Sequence, residues 1–192
     1  MNDLIINVDA LEEANQPFEA DLRREFLDGV LRAPPATEFH AAGASRLSGR
    51  VTRMGREVLV QARATVPLKG QCKRCLKPVT LDESVEIVRN YVPEDRLRAD
   101  VQKVEGEDAE ATFDPNLVDE EAYGGREIDV GPAVREQVLL SIPASPVCRE
   151  DCKGLCAMCG RDLNEGECGC DRTVMDPRWS ALKGIQLEKK EK

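Results

Sequence analysis

The stretch CREDCKGLCAMCGRDLNEGECGC, residues 148–170, holds six of the chain's eight cysteines. Thiols this dense can be cross-linked in pairs, supply a catalytic thiolate, or ligate a metal. Their spacings run C-x3-C, C-x3-C, C-x2-C, C-x8-C and C-x-C. A C-x2-C followed by glycine, Cys156 to Gly160, has the form of a metal knuckle, a tight turn that aims two thiolates and several backbone N–H groups at one ion. The other two, Cys72 and Cys75, repeat the C-x2-C with Lys73 and Arg74 between them, charges that favour thiolates. Eight cysteines make two fours, the number a closed tetrahedral zinc site requires. Spacing favours Cys156, Cys159, Cys168 and Cys170 as one set, because a knuckle and a nearby C-x-C meet through a simple hairpin. Cys148 and Cys152 then reach back to Cys72 and Cys75 across a long loop, where a crosslink constrains the unfolded chain most. The same spacing also allows Cys148 or Cys152 to trade places with a later ligand, or only one site to be filled.

The competing chemistries find less support. The amino terminus, MNDLIINVDALEEANQPF, has neither the basic start nor the apolar run of a signal peptide, and no run of about twenty apolar residues occurs anywhere. A soluble cytoplasmic protein is expected, without a membrane partner, and in that compartment clustered cysteines are metal ligands or redox groups rather than disulfides. A dithiol catalyst opens a helix after a strand in a βαβ context, which the sequence lacks. A catalytic zinc keeps an open position and usually has His or carboxylate ligands. The single histidine, His40, lies in an Ala/Gly-rich link, and no nucleophile elbow, P-loop or dinucleotide fingerprint occurs. The chain reads as a non-enzyme with structural zinc.

The elements that must position these thiols are mainly strands. RLSGRVTR, a turn at MGR, and EVLVQARATVPL read as a hairpin, and Val58, Val60, Ala62, Ala64 and Val66 fall on one face of its second arm. Alternation returns in VTLDESVEIVRNYVP, with Val85, Ile87, Arg89 and Tyr91 on one face, so Cys72 and Cys75 sit at the tip of a second, long hairpin. PFEADL adds an edge strand, in competition with the helix formers of EADLRREFLDGVL. In IDVGPAVREQVLLSIP, Asp129 is a helix N-cap, Pro132 suits the first turn, and Val130, Val134 and Val138 share a face until Pro143. DPRWSALKGIQL repeats that start signal with Asp176 and Pro177, and Trp179, Leu182 and Ile185 can pack back onto the sheet. The expected fold class is α+β, an antiparallel sheet or barrel with a few short helices and a cysteine-rich zinc-binding segment. Residues 1–44 form an N-terminal segment, 45–92 the β core, 93–127 a mobile acidic loop poor in large apolar residues, and 128–192 the helices and cysteine cluster, packed on the core as one domain.

Net charge is −9, yet residues 41–81 carry nine bases against one acid, and residues 82–129 sixteen acids against five bases. The bases are Arg46, Arg50, Arg53, Arg56, Arg63, Lys69, Lys73, Arg74 and Lys77. They read either as the solvated faces of strands or as a local contact surface for RNA, with the acidic stretch facing a basic partner or masking the island.

CKRCLKPV, then LLSIPASPVCREDCKGLCAMCGRDLNEGECGC, and finally DPRWSALKG together resemble the YceD family of large ribosomal RNA subunit accumulation proteins, from about Gly49 to Gly184. The resemblance implies a cytoplasmic, non-enzymatic factor needed for accumulation of 23S ribosomal RNA. Its expected partners are rRNA or the precursor large ribosomal subunit, and a basic ribosomal protein. Family members without the later cysteines exist, so metal is not essential to the fold's work in all of them. The alternatives are a zinc-stapled adaptor that touches only protein and, further off, a thiol redox protein working through Cys72 and Cys75.

Overall fold

In the computed structural model, which describes residues 4–12, 15–34, 36–96 and 120–171, the alternating segments become one mixed sheet. The elements in chain order are β1 (Ile5–Asn7), β2 (Asn15–Leu22), α1 (Arg24–Arg32), β3 (His40–Ala41), β4 (Ser45–Met54), β5 (Glu57–Gln71), β6 (Pro78–Pro93), β7 (Glu120–Tyr123), β8 (Glu127–Asp129) and α2 (Gly131–Ser141). The main sheet runs β2-β4-β5-β6-β7, with β3 adding onto β5, and β1 pairs with β8 in a separate ribbon. A short 3-10 turn, Val8–Ala10, follows β1.

Period-two patterning decides which face is core. Val58, Val60, Ala62, Ala64, Val66 and Leu68 of β5 are buried, and the register sets Val60 against Val51 and Ala62 against Ile87. Leu27, Val30 and Leu31 of α1 and Val134 and Val138 of α2 join the same cluster, together with Ile6 and Ile128 of the β1–β8 ribbon. The opposite face, with Arg50, Gln61, Arg63, Thr65, Ser84 and Glu86, is exposed. Gly49 marks a close approach of β4 to β5: a Cβ there would lie 2.0 Å from the Gln61 carbonyl oxygen.

Several sequence expectations are refined. The sheet is open rather than a barrel, with β2 and β7 as its edges among the described residues. Its last pair, β6 with β7, is parallel, so the sheet is mixed. Part of the stretch read as an acidic loop is therefore strand. The ladder with β6 takes up the backbone groups of residues 120–123, and the Tyr123 hydroxyl donates to the Arg56 carbonyl at 2.6 Å. At the amino end, both competing signals are expressed in turn: the edge strand runs to Leu22, and a helix starts at Arg24. Asp129 stands one residue before the N-cap position, which Val130 occupies, but its Oδ1 still accepts the Gly131 N–H at 2.8 Å. The tail helix expected around Trp179 lies outside the described residues.

Candidate metal centre

β5 and β6 pair without interruption as far as Gln71 opposite Pro78, which holds the six intervening residues at the tip of the ribbon. There the Leu76 N–H donates to the Cys72 carbonyl (2.9 Å) and the Cys72 N–H to the Lys77 carbonyl (2.9 Å). The same two bonds recur in the second knuckle, from the Gly160 N–H to the Cys156 carbonyl (2.8 Å) and from the Cys156 N–H to the Arg161 carbonyl (2.8 Å). CKRCLK and CAMCGR are thus one turn made twice. The fifth residue is left-handed in both, with φ 60 at Leu76 and φ 72 at Gly160. Glycine adopts that conformation freely, whereas leucine is strained in it.

The eight sulfurs gather into two fours, Cys72, Cys75, Cys148 and Cys152, and Cys156, Cys159, Cys168 and Cys170, with all ligand atoms of a set within 4.8 Å of one another. Either set could hold a metal ion. Cys72 Sγ lies 3.9 Å from Cys152 Sγ, and Cys75 Sγ lies 3.6 Å from Cys148 Sγ. A disulfide needs about 2.05 Å. Four thiolates bonded tetrahedrally to one zinc at about 2.3 Å stand about 3.8 Å apart, so the spacing fits a metal and not a crosslink.

The surroundings suit anionic sulfur. The Cys75 N–H above all, with those of Cys148 and Arg74, outweighs burial and pulls the Cys72 thiol down to about 6. The N–H groups of Cys159 and Met158 do the same for Cys156, also to about 6. Burial and the neighbouring sulfurs push Cys148 up to about 12, and contacts with Cys159 and Cys168 push Cys170 up to about 12. In each four, the first cysteine of the knuckle is the ready thiolate, and the most reluctant thiol comes from outside the knuckle.

The two fours differ in setting. Cys72, Cys75 and Cys152 are buried, and Val147 and Leu155 pack against them. In the second set only Cys156 is buried, while Cys159 is exposed and Met158, inside the knuckle, is 60% exposed. The second loop rests on the first knuckle. The Leu155 N–H donates to the Arg74 carbonyl at 3.0 Å, and Lys77 Nζ pairs with Asp162 at 2.7 Å and Glu165 at 2.9 Å. Asn164 Nδ2 donates to Cys152 Sγ at 3.5 Å and to Asp162 Oδ1 at 2.7 Å, while its own Oδ1 accepts from the Lys153 N–H and from Arg149. Lys77 and the Asn164 N–H hold Asp162 down to about 2.

The nine cations singled out in the sequence do not form one patch. Arg46, Arg50, Arg63 and Lys69 lie on the exposed face of β4 and β5, Arg53 and Arg56 at one end of the ribbon, and Lys73, Arg74 and Lys77 at the other. The fifteen residues of β5 between those ends span about 50 Å. Most of the nine are engaged. Arg46 pairs with Asp21 and Glu19, Arg56 with Asp95, Arg63 with Glu86, and Lys73 with Glu38. Arg53 donates to the carbonyls of Gly55, Val8 and Leu11, and Arg74 to those of Glu150 and Cys152.

Sequence reasoning missed Asp162 and Asn164, which no ligand spacing announces. The D-x-N following a knuckle was a usable turn signal, expressed as the Asn164 N–H bonded to Asp162 Oδ1 at 2.9 Å. Superposing CKRCLK on CAMCGR would have marked Leu76 as left-handed.

A profile of the family described as Large ribosomal RNA subunit accumulation protein YceD matches residues 60–186. The chain belongs to the YceD family. The stretch shared with YceD proteins begins inside β5 and includes all eight cysteines. An uncharacterized protein of Mycobacterium tuberculosis is 34% identical over 133 residues, 69% of this chain and 58% of the relative. One from Mycobacterium leprae is 32% identical over 133 residues, 69% of this chain and 55% of the relative. A protein of Arabidopsis thaliana named Large ribosomal RNA subunit accumulation protein YCED homolog 1, chloroplastic, is 35% identical over 68 residues, 34% of this chain and 21% of the relative. The aligned part of this YceD chain thus spans little more than half the length of its mycobacterial relatives. No solved structure matches it significantly. Among the described residues, no helix is long and apolar enough to cross a membrane.

Proposed function

We propose that the chain is a cytoplasmic, non-enzymatic factor for accumulation of the large-subunit 23S ribosomal RNA, with a carboxyl segment folded by two structural zinc ions. Cys72, Cys75, Cys148 and Cys152 hold one ion, and Cys156, Cys159, Cys168 and Cys170 the other. The ion supplies a closed four-thiolate crosslink and no reaction step. The observation that carries this reading is that both cysteine fours, at metal-ligand spacing, fall inside the stretch shared with a family named for large-subunit rRNA accumulation. The ribosomal part is tested by depleting the protein and measuring large-subunit against small-subunit rRNA, and by following it through a gradient of ribosomal particles. A lowered ratio and co-sedimentation with precursor large subunits are expected; an unchanged ratio overturns it. Elemental analysis of protein from a reducing, chelator-free preparation should give two zinc ions per chain, whereas no zinc with eight reactive thiols in the native state overturns the metal assignment.

A second reading, an adaptor that touches protein alone, is favoured by the engagement of the cations. Of the nine, only Arg50 and Lys69 have no ion-pair or side-chain hydrogen-bond partner among the described residues. Phosphate contact through the others requires existing ion pairs or carbonyl bonds to open. Affinity for large-subunit RNA fragments that falls steeply with salt and is lost on replacing Arg50, Arg53, Arg56 and Arg63 by Glu supports RNA contact. Unchanged affinity supports the adaptor.

A further inference from the structure

Resting on the metal assignment above, we propose that the two cysteine fours are filled in order, the ribbon-tip four first, and that Lys77, Asp162 and Asn164 make the second four depend on the first. The order follows from how the ligands are held. Cys72 and Cys75 stand on a knuckle closed by two backbone bonds at the end of a ribbon whose register continues unbroken for fourteen residue pairs. Half of the first set is therefore in place before any metal arrives. Cys159, Cys168 and Cys170 instead lie on turns with no strand or helix among the described residues beyond the single Leu155–Asp162 bridge.

The dependence follows from what the second loop touches. Its outside contacts converge on groups that the first four organises. Leu155 bonds the Arg74 carbonyl between the two knuckle cysteines, Lys77 reaches Asp162 and Glu165 from the residue that closes the turn, and Asn164 donates to the Cys152 sulfur itself. Asp162 is the hinge of this set, since its side chain is only 10% exposed and it receives Lys77 on one oxygen and Asn164 on the other. Drawing Cys148 and Cys152 onto the knuckle brings Cys152 within reach of Asn164 and fixes Lys77 against Asp162. The second loop then closes on a prepared seat. Linkage makes the coupling reciprocal, so an ion in the second four tightens the first by the same factor.

The test is a cobalt(II) titration of the metal-free full chain under reducing conditions, because tetrahedral thiolate coordination of that ion is visible in absorption. The unsubstituted chain, Cys72→Ser/Cys75→Ser and Cys156→Ser/Cys159→Ser are titrated against a competing chelator, with limited proteolysis of each as a second readout. Two cobalt ions are expected in the unsubstituted chain, filling in sequence. The second four in Cys72→Ser/Cys75→Ser should bind about tenfold more weakly than it does in the intact chain. Lys77→Met, which keeps all eight cysteines, should weaken the second site about three- to tenfold and the first less than about threefold. The charge-exchanged Lys77→Asp/Asp162→Lys should recover part of that loss. A remaining four that binds with the same affinity in each double-serine variant as in the unsubstituted chain, or a Lys77→Met variant with an unaltered second site, overturns the coupling while leaving the metal assignment standing. No cobalt bound by the unsubstituted chain overturns both.

Discussion

The two cysteine fours have the same ligands and the same knuckle, yet they solve different problems. The first joins sulfurs 73 to 80 residues apart in sequence and sits among buried side chains. The second gathers its four cysteines, of which only Cys156 is buried, from fifteen consecutive residues, Cys156 to Cys170. By loop entropy alone, a clip closing about 75 residues restrains the unfolded chain by roughly 4.5 kcal/mol, and one closing about 15 residues by roughly 3 kcal/mol. That gap is modest. On the two-zinc proposal the larger difference is in what each clip would hold, since the first would fasten the carboxyl segment to the sheet and the second would shape chiefly its own loop. The comparison teaches that one knuckle and four thiols suit a long-range staple or a local fold according to where the knuckle is mounted.

The strongest way to break this comparison is to remove one ligand from each four. Cys72→Ser should free the segment from about Pro143 to Asp171 for proteolysis, while Cys156→Ser should open only the loop beyond Leu155. In both, cleavage should spare the sheet, whose core between α1, α2 and β5 contains no cysteine. Limited proteolysis with mass mapping decides this, and identical maps, or global unfolding in both, would show a single cooperative unit.

A smaller effect separates the knuckles at their left-handed residue. Nothing lies within 4 Å of a Cβ built on Gly160, so Gly160→Leu meets only the backbone penalty, about 1–2 kcal/mol, and should weaken the second site about tenfold. Leu76→Gly relieves a similar strain but gives the unfolded chain back about 0.5–1 kcal/mol of freedom. Its side chain is 57% exposed and little packing is lost, so the first site should change by about threefold or less. Metal competition on both variants reads the contrast, and a larger effect at Leu76 would invert it.

The smallest expected effect is electrostatic. Asp162, normally near 3.8, is held at about 2 in the folded chain by Lys77 and the Asn164 N–H. A carboxyl depressed on folding adds stability above its unfolded pKa, and that contribution is lost as pH falls through the folded value, so the window lies between about pH 4 and pH 2. Acidification should therefore protonate the thiols and release metal before the contact between the loops is lost. Carboxyl chemical shifts followed during an acid titration should show Asp162 titrating below the ordinary aspartate range, and should lose that depression in Lys77→Met.

How much of this was legible in the sequence differs by region. The sheet core was readable because burial of one face imposes a period of two, and Val58 to Val66 keep that period without a break. The four from Cys156 to Cys170 was readable because short spacings admit few closures, whereas the spacing left the places of Cys148 and Cys152 open and the fold brings them to Cys72 and Cys75. What could not be read were relations set by register. β7 pairs in parallel with β6 through backbone groups, which any composition offers, so an acidic stretch concealed a strand. The basic island looked continuous because Arg46 to Lys77 are near in sequence, whereas a ribbon about 50 Å long separates its ends and partners from Glu19 to Glu165 take up most of its charges. Asn164 was invisible as a contact because its neighbour Cys152 belongs to the other four.

The long reach of the first four also sets a schedule for the growing chain. Cys72 and Cys75 are synthesised 73 residues or more before their partners Cys148 and Cys152. At about 5–20 residues per second, the finished knuckle waits roughly 4 to 15 s with half of its ligands missing. During that interval the Cys72 thiol, still without the Cys148 and Cys152 groups that surround it in the folded chain, stands open to alkylation, oxidation or capture of an ion in an incomplete shell. The second four emerges as one short stretch and has no such interval. Protection of nascent Cys72, by reducing conditions or by a chaperone on the ribosome, therefore matters more to the yield of correctly assembled protein than protection of any later cysteine.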